Sequence, residues 1–338
     1  MRIDMKTKVE KLTKKFCNEC VEIIRKGGIV SFPTETVYGL GADATNAEAV
    51  RSIFEVKGRP QDNPLIVHLA DRSQIEKYAE ISNDIERLII KKCMPGPISL
   101  ILQKKEAISN VVTCGLTTVA IRIPINKIAR KFIRSTKLPI CAPSANTSKR
   151  PSPTRAKDVL ADMDGKIPAI IDGGNCKIGV ESTVCKVENN IVYILRPGKL
   201  SARRLTKILK VPVVDKLTSS QNSVAESPGT KYTHYCPKCE MILIKNDILK
   251  NIQSLYKKFA EQGKKVIVLC SKETAKNIEG MDKVVLGKTS EDACKNIFKT
   301  LRNVENDYDV ILAEFIAKGD MQDALFNRMI KSASGKMV

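Results

Sequence analysis

A two-domain α/β protein is what this sequence predicts. Three features carry the prediction. Short apolar runs alternate with stretches of helical periodicity, the composition changes after Val214, and the same alternation resumes near Met241. The first round begins with a helix over Lys11 to Arg25, striped by Leu12, Phe16, Cys20, Ile23 and Ile24 and stopped by Gly27 and Gly28. Ile29 to Phe32 reads as a buried strand ending at Pro33. Asn46 to Val56 reads as a helix, Pro64 to Leu69 as a strand, and Ser73 to Lys91 as one long helix broken by Pro95, Gly96 and Pro97. Ile98 to Leu102 and Val119 to Ile123 are strands, and Ile125 to Ser135 is a short helix. Pro139 to Ala142 leads into a polar loop, Pro143 to Pro153. Strands follow at Ala169 to Asp172, Ser182 to Lys186 and Val192 to Leu195, with an order the sequence does not disclose.

Lys216 to Lys231 is Ser-, Thr- and Gly-containing with almost no apolar run, the composition of a linker. Beyond it, helices at Ile248 to Phe259, Glu291 to Arg302 and Met321 to Lys331 alternate with strands at Lys265 to Leu269, Lys283 to Leu286 and Asp309 to Ala313. That pattern predicts a small parallel β-α-β domain.

Composition narrows the class. The net charge of +20 favours anionic partners such as nucleotides, pyrophosphate or nucleic acid, although a Lys-rich surface also serves solubility. Aromatic content of 4% with no Trp argues against an extended base-stacking platform. Eleven Cys in a chain of this size do not resemble a small secreted disulfide framework. No apolar run reaches a membrane span, and the N-terminus lacks a signal-peptide core, so a cytoplasmic, reducing compartment is expected.

The densest chemistry lies between Ser31 and His68, where turn glycines, hydroxyls, cations, an amide and an imidazole crowd together. Lys57 and Arg59 flank Gly58, so a point charge and a planar fork can converge on phosphate oxygens. Ser144 and Asn146 lie in a Pro-bounded loop and can offer hydroxyl and amide to one ligand. Taken singly, each pair has a plainer explanation: a basic surface turn, and side chains that cap their own backbone.

Lys57-x-Arg59 followed by Ser144-x-Asn146 resembles the signature of the YrdC/Sua5 family, in its long Sua5 form. PTETVYGLGAD at 33–43, NPL at 63–65, PGPISL at 95–100, VAIRIP at 119–124, PSAN at 143–146, GVEST at 179–183 and LRPG at 195–198 extend the resemblance. SPGTKYTHYCP at 227–237 is similar to the family's interdomain linker. The plain explanations do not predict all these motifs in order.

The resemblance implies a large YrdC-like twisted mixed sheet with helices and a concave basic face over residues 1–212. It implies a linker and active-site lid over 213–240, and a small Rossmann-like three-layer α/β domain over 241–338. It implies an L-threonylcarbamoyladenylate synthase joining L-threonine, bicarbonate and ATP, with Mg²⁺ accompanying ATP and pyrophosphate released. A separate transferase complex would place the threonylcarbamoyl group on adenosine 37 of ANN-decoding tRNAs.

By motif, Thr36, His68, Arg122, Ala142 and Ser182 are assigned to threonine, with Arg122 facing its carboxylate. Arg59, Asn63, Thr118, Ser144, Asn146, Ser152 and Arg196 are assigned to ATP. Lys57 and Arg59 are the candidate catalytic cations, Lys57 by neutralising phosphate or carbamate charge. Tyr232, His234 and Tyr235 are assigned to the lid. Glu35, Asp43, Asp172 and Glu181 are scattered acids, and no protein ligand to Mg²⁺ is assigned. Cys236 and Cys239 depart from the family's linker; half a zinc site and free thiols are both open, as they are for Cys17 and Cys20. A non-catalytic double-stranded RNA or ribosome-binding module is the rival class, with Lys8, Lys11, Lys14, Lys15, Arg150 and Arg155 as its basic face. Direct tRNA contact, and a monomer or a dimer, stay open.

Overall fold

The computed structural model describes residues 6–216 and 234–338. It divides into two compact units. Of the described residues, one is built from 6–148, 153–177 and 181–216, the other from 149–152, 178–180 and 234–338.

The first unit is organised by a mixed sheet of twelve strands among the described residues. They are β1 (Lys8–Lys11), β2 (Val30–Phe32), β3 (Gly39–Asp43), β4 (Ile66–His68), β5 (Ala79–Glu80) and β6 (Ile98–Lys104). β7 (Thr118–Arg122), β8 (Ile140–Cys141), β9 (Ala169–Asp172), β10 (Thr183–Glu188), β11 (Ile191–Arg196) and β12 (Val213–Asp215) complete it. The spatial order is β1-β9-β2-β3-β8-β4-β7-β6-β10-β11-β12, with β5 paired to β6. The parallel pairs include β4 with β7 and β6 with β10, and the antiparallel pairs include β6 with β7 and β4 with β8.

Alternation along these central strands separates two faces. Val67, Leu100, Leu102, Val119, Ile121 and Cys185 enter the main core with helix residues such as Val50, Ile53, Phe54, Ile89 and Val159. Ile66, Ile101, Ala120 and Val184 point the other way and form a small apolar cluster of their own. A further core joins Phe16, Cys20 and Ile24 of the helix Lys14–Arg25 to Phe132 and Ile133 of the helix Lys127–Thr136.

The sequence does not disclose β1, β12 or the helices Ala156–Met163 and Ala202–Leu209, and two further local features differ from the expectation. The long helix expected over Ser73 to Lys91 is interrupted. A short helix, Ile75–Tyr78, gives way to β5, and a new helix, Asp84–Cys93, starts where Asn83 accepts from the Glu86 N–H. An Asn whose side chain replaces the missing turn explains the break. β3 is the second, a strand written GLGAD that glycine content conceals. The glycines are packing requirements: a Cβ at Gly41 would stand 2.7 Å from the Phe32 ring and 2.8 Å from Ile140.

The second unit is a four-stranded parallel sheet of β13 (Glu240–Ile244), β14 (Val266–Ser271), β15 (Lys283–Gly287) and β16 (Val310–Glu314), in the order β13-β16-β14-β15. Helix Ile248–Glu261 crosses from β13 to β14 and helix Ser290–Val304 from β15 to β16, the connections that parallel strands need, and helix Gln322–Ser332 follows β16. Thr289 and Asp292 form a capping box at the start of Ser290–Val304. Ile242, Ile244, Val266, Val268, Val310 and Leu312 pack with Ile252 in its core. This is the β-α-β domain the alternation predicted.

Candidate active site

The face of the first sheet turned away from the main core carries most of the candidate residues. On β7 that face holds Thr118, Ala120 and Arg122, and the register sets Ile66 beside Ala120 and His68 beside Arg122. Thr118 and Arg122 lie four residues apart on one strand, about 13 Å at strand rise. Two polar ends are therefore separated by the apolar floor of Ile66, Ile101, Ala120 and Val184.

At the Arg122 end, the loop after β2 folds around Thr34. Its hydroxyl donates to the Val37 carbonyl at 2.6 Å and accepts from the Thr36 and Val37 N–H groups at 3.1 and 3.2 Å. The Thr34 and Thr36 hydroxyl oxygens are 2.8 Å apart. Since Thr34 has one proton and gives it to Val37, Thr36 is the donor of that contact. Arg122 Nη2 donates to the Thr36 hydroxyl at 2.9 Å and to Glu35 Oε1 at 2.6 Å. Both partners of this ion pair are only 4% exposed. The expected Arg122–substrate pairing thus has an internal carboxylate beside it that the motif assignment did not include.

His68 Nδ1 sits 3.1 Å from the Ile66 carbonyl, and the ring meets Phe32 edge-on. Burial first, and the Arg122 charge second, push its pKa down to about 3. The imidazole is therefore neutral at physiological pH, and donation from Nδ1 leaves Nε2 as an acceptor. Its folded pKa lies below the unfolded value of 6.5, so the stability tied to the neutral ring is complete above pH 6.5 and lost as pH falls from there towards 3. Urea unfolding should show a loss of up to about 1.4 kcal/mol per pH unit in that window, and His68→Gln should flatten it. An equally steep curve for the variant would contradict the assignment.

Ser182 precedes β10 at the same end. Its hydroxyl lies 2.9 Å from Ser99 Oγ, and Arg196 donates to its carbonyl at 3.0 and 3.2 Å and to its hydroxyl at 3.2 Å. A bulge at Val184/Cys185 explains the aim of Arg196. It sets Arg196 opposite Val184, on the open face, whereas Ile194 sits opposite Cys185 in the core. Arg196, assigned by motif to ATP, is thus brought to Ser182. Gly198 closes the same corner: a Cβ there would lie 2.3 Å from the Thr183 nitrogen and 2.7 Å from the Ser182 carbonyl carbon. Gly198→Ala should destabilise the protein by about 1–3 kcal/mol and raise the threonine KM, measured by urea unfolding and steady-state kinetics.

Lys57 and its neighbours occupy the opposite end. Lys57 closes the helix Ala47–Lys57, and Gly58 terminates it at φ 60°, a left-handed position suited to glycine. Lys57 is 1% exposed, and its ammonium donates to the carbonyls of Ser144, at 2.5 Å, and Asn146. The Ser144 hydroxyl donates to Asn146 Oδ1 at 2.5 Å. Lys57 therefore organises the Ser144–Asn146 loop. Arg59 donates to the Asn63 carbonyl at 3.0 Å and reaches that of Pro64, just before β4. Ala142 links the two ends, its N–H bonded to the Ile66 carbonyl.

Ser152, His234 and Tyr235 fall in the second unit. Ser152 is fully buried, and Tyr235 stacks on Phe298 at 5.0 Å beside Arg328. Tyr232 and most of the linker lie outside the described residues. Cys236 Sγ lies 3.5 Å from the Lys331 carbonyl. Among the described residues no group of three His, Cys, Asp or Glu is placed to hold a metal. Of the scattered acids, Glu35 is committed to Arg122, and Asp172 takes the Gly174 N–H at 2.9 Å. No described helix is long and apolar enough to cross a membrane.

Sequence reasoning missed Glu35 as a partner of Arg122, and missed Ser99. The one available signal for Glu35 was its place between two pocket threonines in PTET. Ser99 offered only a hydroxyl in an apolar strand, ISLIL.

A family model described as "Telomere recombination", covering the Sua5, YciO and YrdC proteins, matches residues 22–198. One described as "Threonylcarbamoyl-AMP synthase, C-terminal domain" matches residues 200–334. The threonylcarbamoyl-AMP synthase of Pyrococcus abyssi is 41% identical over 320 residues, 93% of each chain. That of Bacillus subtilis is 41% identical over 325 residues, 95% of this chain and 93% of its own. The crystal structure of P. abyssi Sua5 complexed with L-threonine matches with a TM-score of 0.90 at 40% identity, covering 98% of each chain. E. coli YciO, 21% identical with a TM-score of 0.50 over 57% of this chain and 96% of its own, shares the fold.

Proposed function

We propose that this chain, which belongs to the family of Sua5, YciO and YrdC proteins and carries the C-terminal domain of threonylcarbamoyl-AMP synthases, is itself a threonylcarbamoyl-AMP synthase. The observation that carries this is the two-ended polar face, Arg122 with His68 and Thr36 at one end and Lys57, Arg59 and the Ser144–Asn146 loop at the other. A relative with this fold at 40% identity has been crystallised with L-threonine.

The substrates are L-threonine, bicarbonate and ATP. Threonine's carboxylate meets Arg122. Neutral His68 offers an acceptor to its ammonium, as does the remaining lone pair of Thr36. The ammonium gives up one proton to solvent, the free amine attacks the bicarbonate carbon, water leaves with a second amine proton, and a carbamate forms. A carbamate oxygen then attacks the ATP α-phosphorus, and the bond to pyrophosphate breaks. Both steps depend on holding reactants together and on cations near developing charge, without a covalent nucleophile. Arg59, Asn63, Thr118, Ser144 and Asn146 hold the nucleotide. Mg²⁺ would enter with ATP and would offset charge on the triphosphate, and no protein ligand is assigned to it. The product passes to a transferase complex that modifies tRNA. Mass spectrometry of a reaction with ¹³C-bicarbonate tests the reading. An adenylate carrying both threonine and the labelled carbon is expected, and labelled carbon absent from every AMP adduct would contradict it.

A further inference from the structure

Arg122 is only 4% exposed, yet its guanidinium is not fully used by the protein. Both hydrogens of Nη2 are committed, one to Glu35 Oε1 at 2.6 Å and one to Thr36 Oγ1 at 2.9 Å. Nε is buried and makes no hydrogen bond among the described residues. A guanidinium held at one nitrogen from two directions has its plane fixed, because the fork is rigid. Glu35 is itself anchored. Its Oε2 accepts from the Asn126 N–H at 3.4 Å, and the Asn126 side chain caps the helix Lys127–Thr136 at the Ile128 and Ala129 N–H groups. The chain Asn126–Glu35–Arg122 therefore runs from a helix start to the open face of the sheet.

We infer that Glu35 is the positioning residue for threonine recognition, acting through Arg122 and not by touching the substrate. This rests on the synthase reading above. Two consequences follow from the chemistry. Held by Glu35 at Nη2, the guanidinium is locked with Nη1 left to donate to an incoming carboxylate, so less of the binding energy is spent on ordering it. The pair is also neutral overall, which suits a ligand that is itself a zwitterion. Without Glu35, a buried guanidinium would lack its counter-charge and would turn towards other carbonyls or water.

The test compares two ligands on the same variants by calorimetry: L-threonine, and L-threoninol, which keeps the amine and side chain but has no carboxylate. Affinity is read directly, so the result does not depend on turnover. Glu35→Ala should weaken L-threonine by about tenfold or more while leaving L-threoninol and ATP within about twofold. Glu35→Gln keeps an oxygen acceptor for Nη2 and should recover most of the loss. Where Glu35→Ala does not fold, Glu35→Gln carries the comparison, with an expected loss of about threefold confined to L-threonine. Equal weakening of threonine and threoninol would show Glu35 acting on the amine or on the whole pocket and would overturn the inference. Unchanged threonine affinity in Glu35→Ala would also overturn it. Wild-type protein that binds threonine but makes no adenylate would contradict the synthase reading alone, whereas wild-type protein that binds no threonine would sink both.

Discussion

Arg122→Ala is expected to abolish threonine-dependent turnover and to cost more stability than any other single change at the site. Removal of the side chain takes away the guanidinium that bridges Glu35 and Thr36 at the His68 end. A charge-assisted contact to a carboxylate in a closed pocket is worth about a hundredfold in threonine kcat/KM when the fork is preorganised. The second effect falls on Glu35. Its carboxylate, 4% exposed, would be left in the interior with the Asn126 N–H alone. Removing one member of a buried ion pair typically costs about 3–5 kcal/mol, far above the worth of an exposed pair. Urea unfolding and a threonine titration together measure both effects. Arg122→Ala combined with Glu35→Gln should regain stability without regaining threonine use. A variant that kept the wild-type threonine KM would remove Arg122 from recognition.

Lys57→Ala is expected to damage the nucleotide end by a route the motif alone does not disclose. The sequence suggests a lysine that neutralises phosphate charge. In the structure its ammonium is spent on the Ser144 and Asn146 carbonyls, between which the Ser144 and Asn146 side chains bond each other. Losing it leaves two inward carbonyls poorly satisfied, at about 1–3 kcal/mol each. It also frees a loop that must hold its groups to within a fraction of an ångström, and a displacement of about 1 Å can cost a hundredfold in rate. The expected signature is a raised ATP KM together with faster amide exchange over residues 143–148. A fall in kcat with unchanged exchange in that loop would restore direct phosphate neutralisation as the role of Lys57.

Much of this was legible in the chain because local chemistry fixed it. Central strands such as β6, β7 and β10 are apolar runs bounded by turn residues, and the second domain's alternation leaves a parallel sheet as the simple solution. What stayed hidden depends on contacts between distant segments. β3 reads as a glycine loop because the need for Gly41 lies in Phe32 and Ile140, residues known to be neighbours only once the strand order is known. The aim of Arg196 depends on one extra residue, Leu195, bulged in β11 opposite Val184 and Cys185, which no periodicity records. Glu35 looked like a scattered acid because its partner stands 87 residues away. The motif residues stand out in the sequence, while the groups that hold them in place do not.

The most direct measurement is pyrophosphate release by the purified chain with ATP, Mg²⁺, L-threonine and bicarbonate, each omitted in turn. Release that requires threonine and bicarbonate together, and that falls to background in Arg122→Ala, is the predicted result. Release indifferent to threonine, or none from the folded protein with every component present, would contradict a threonylcarbamoyl-AMP synthase working at this site.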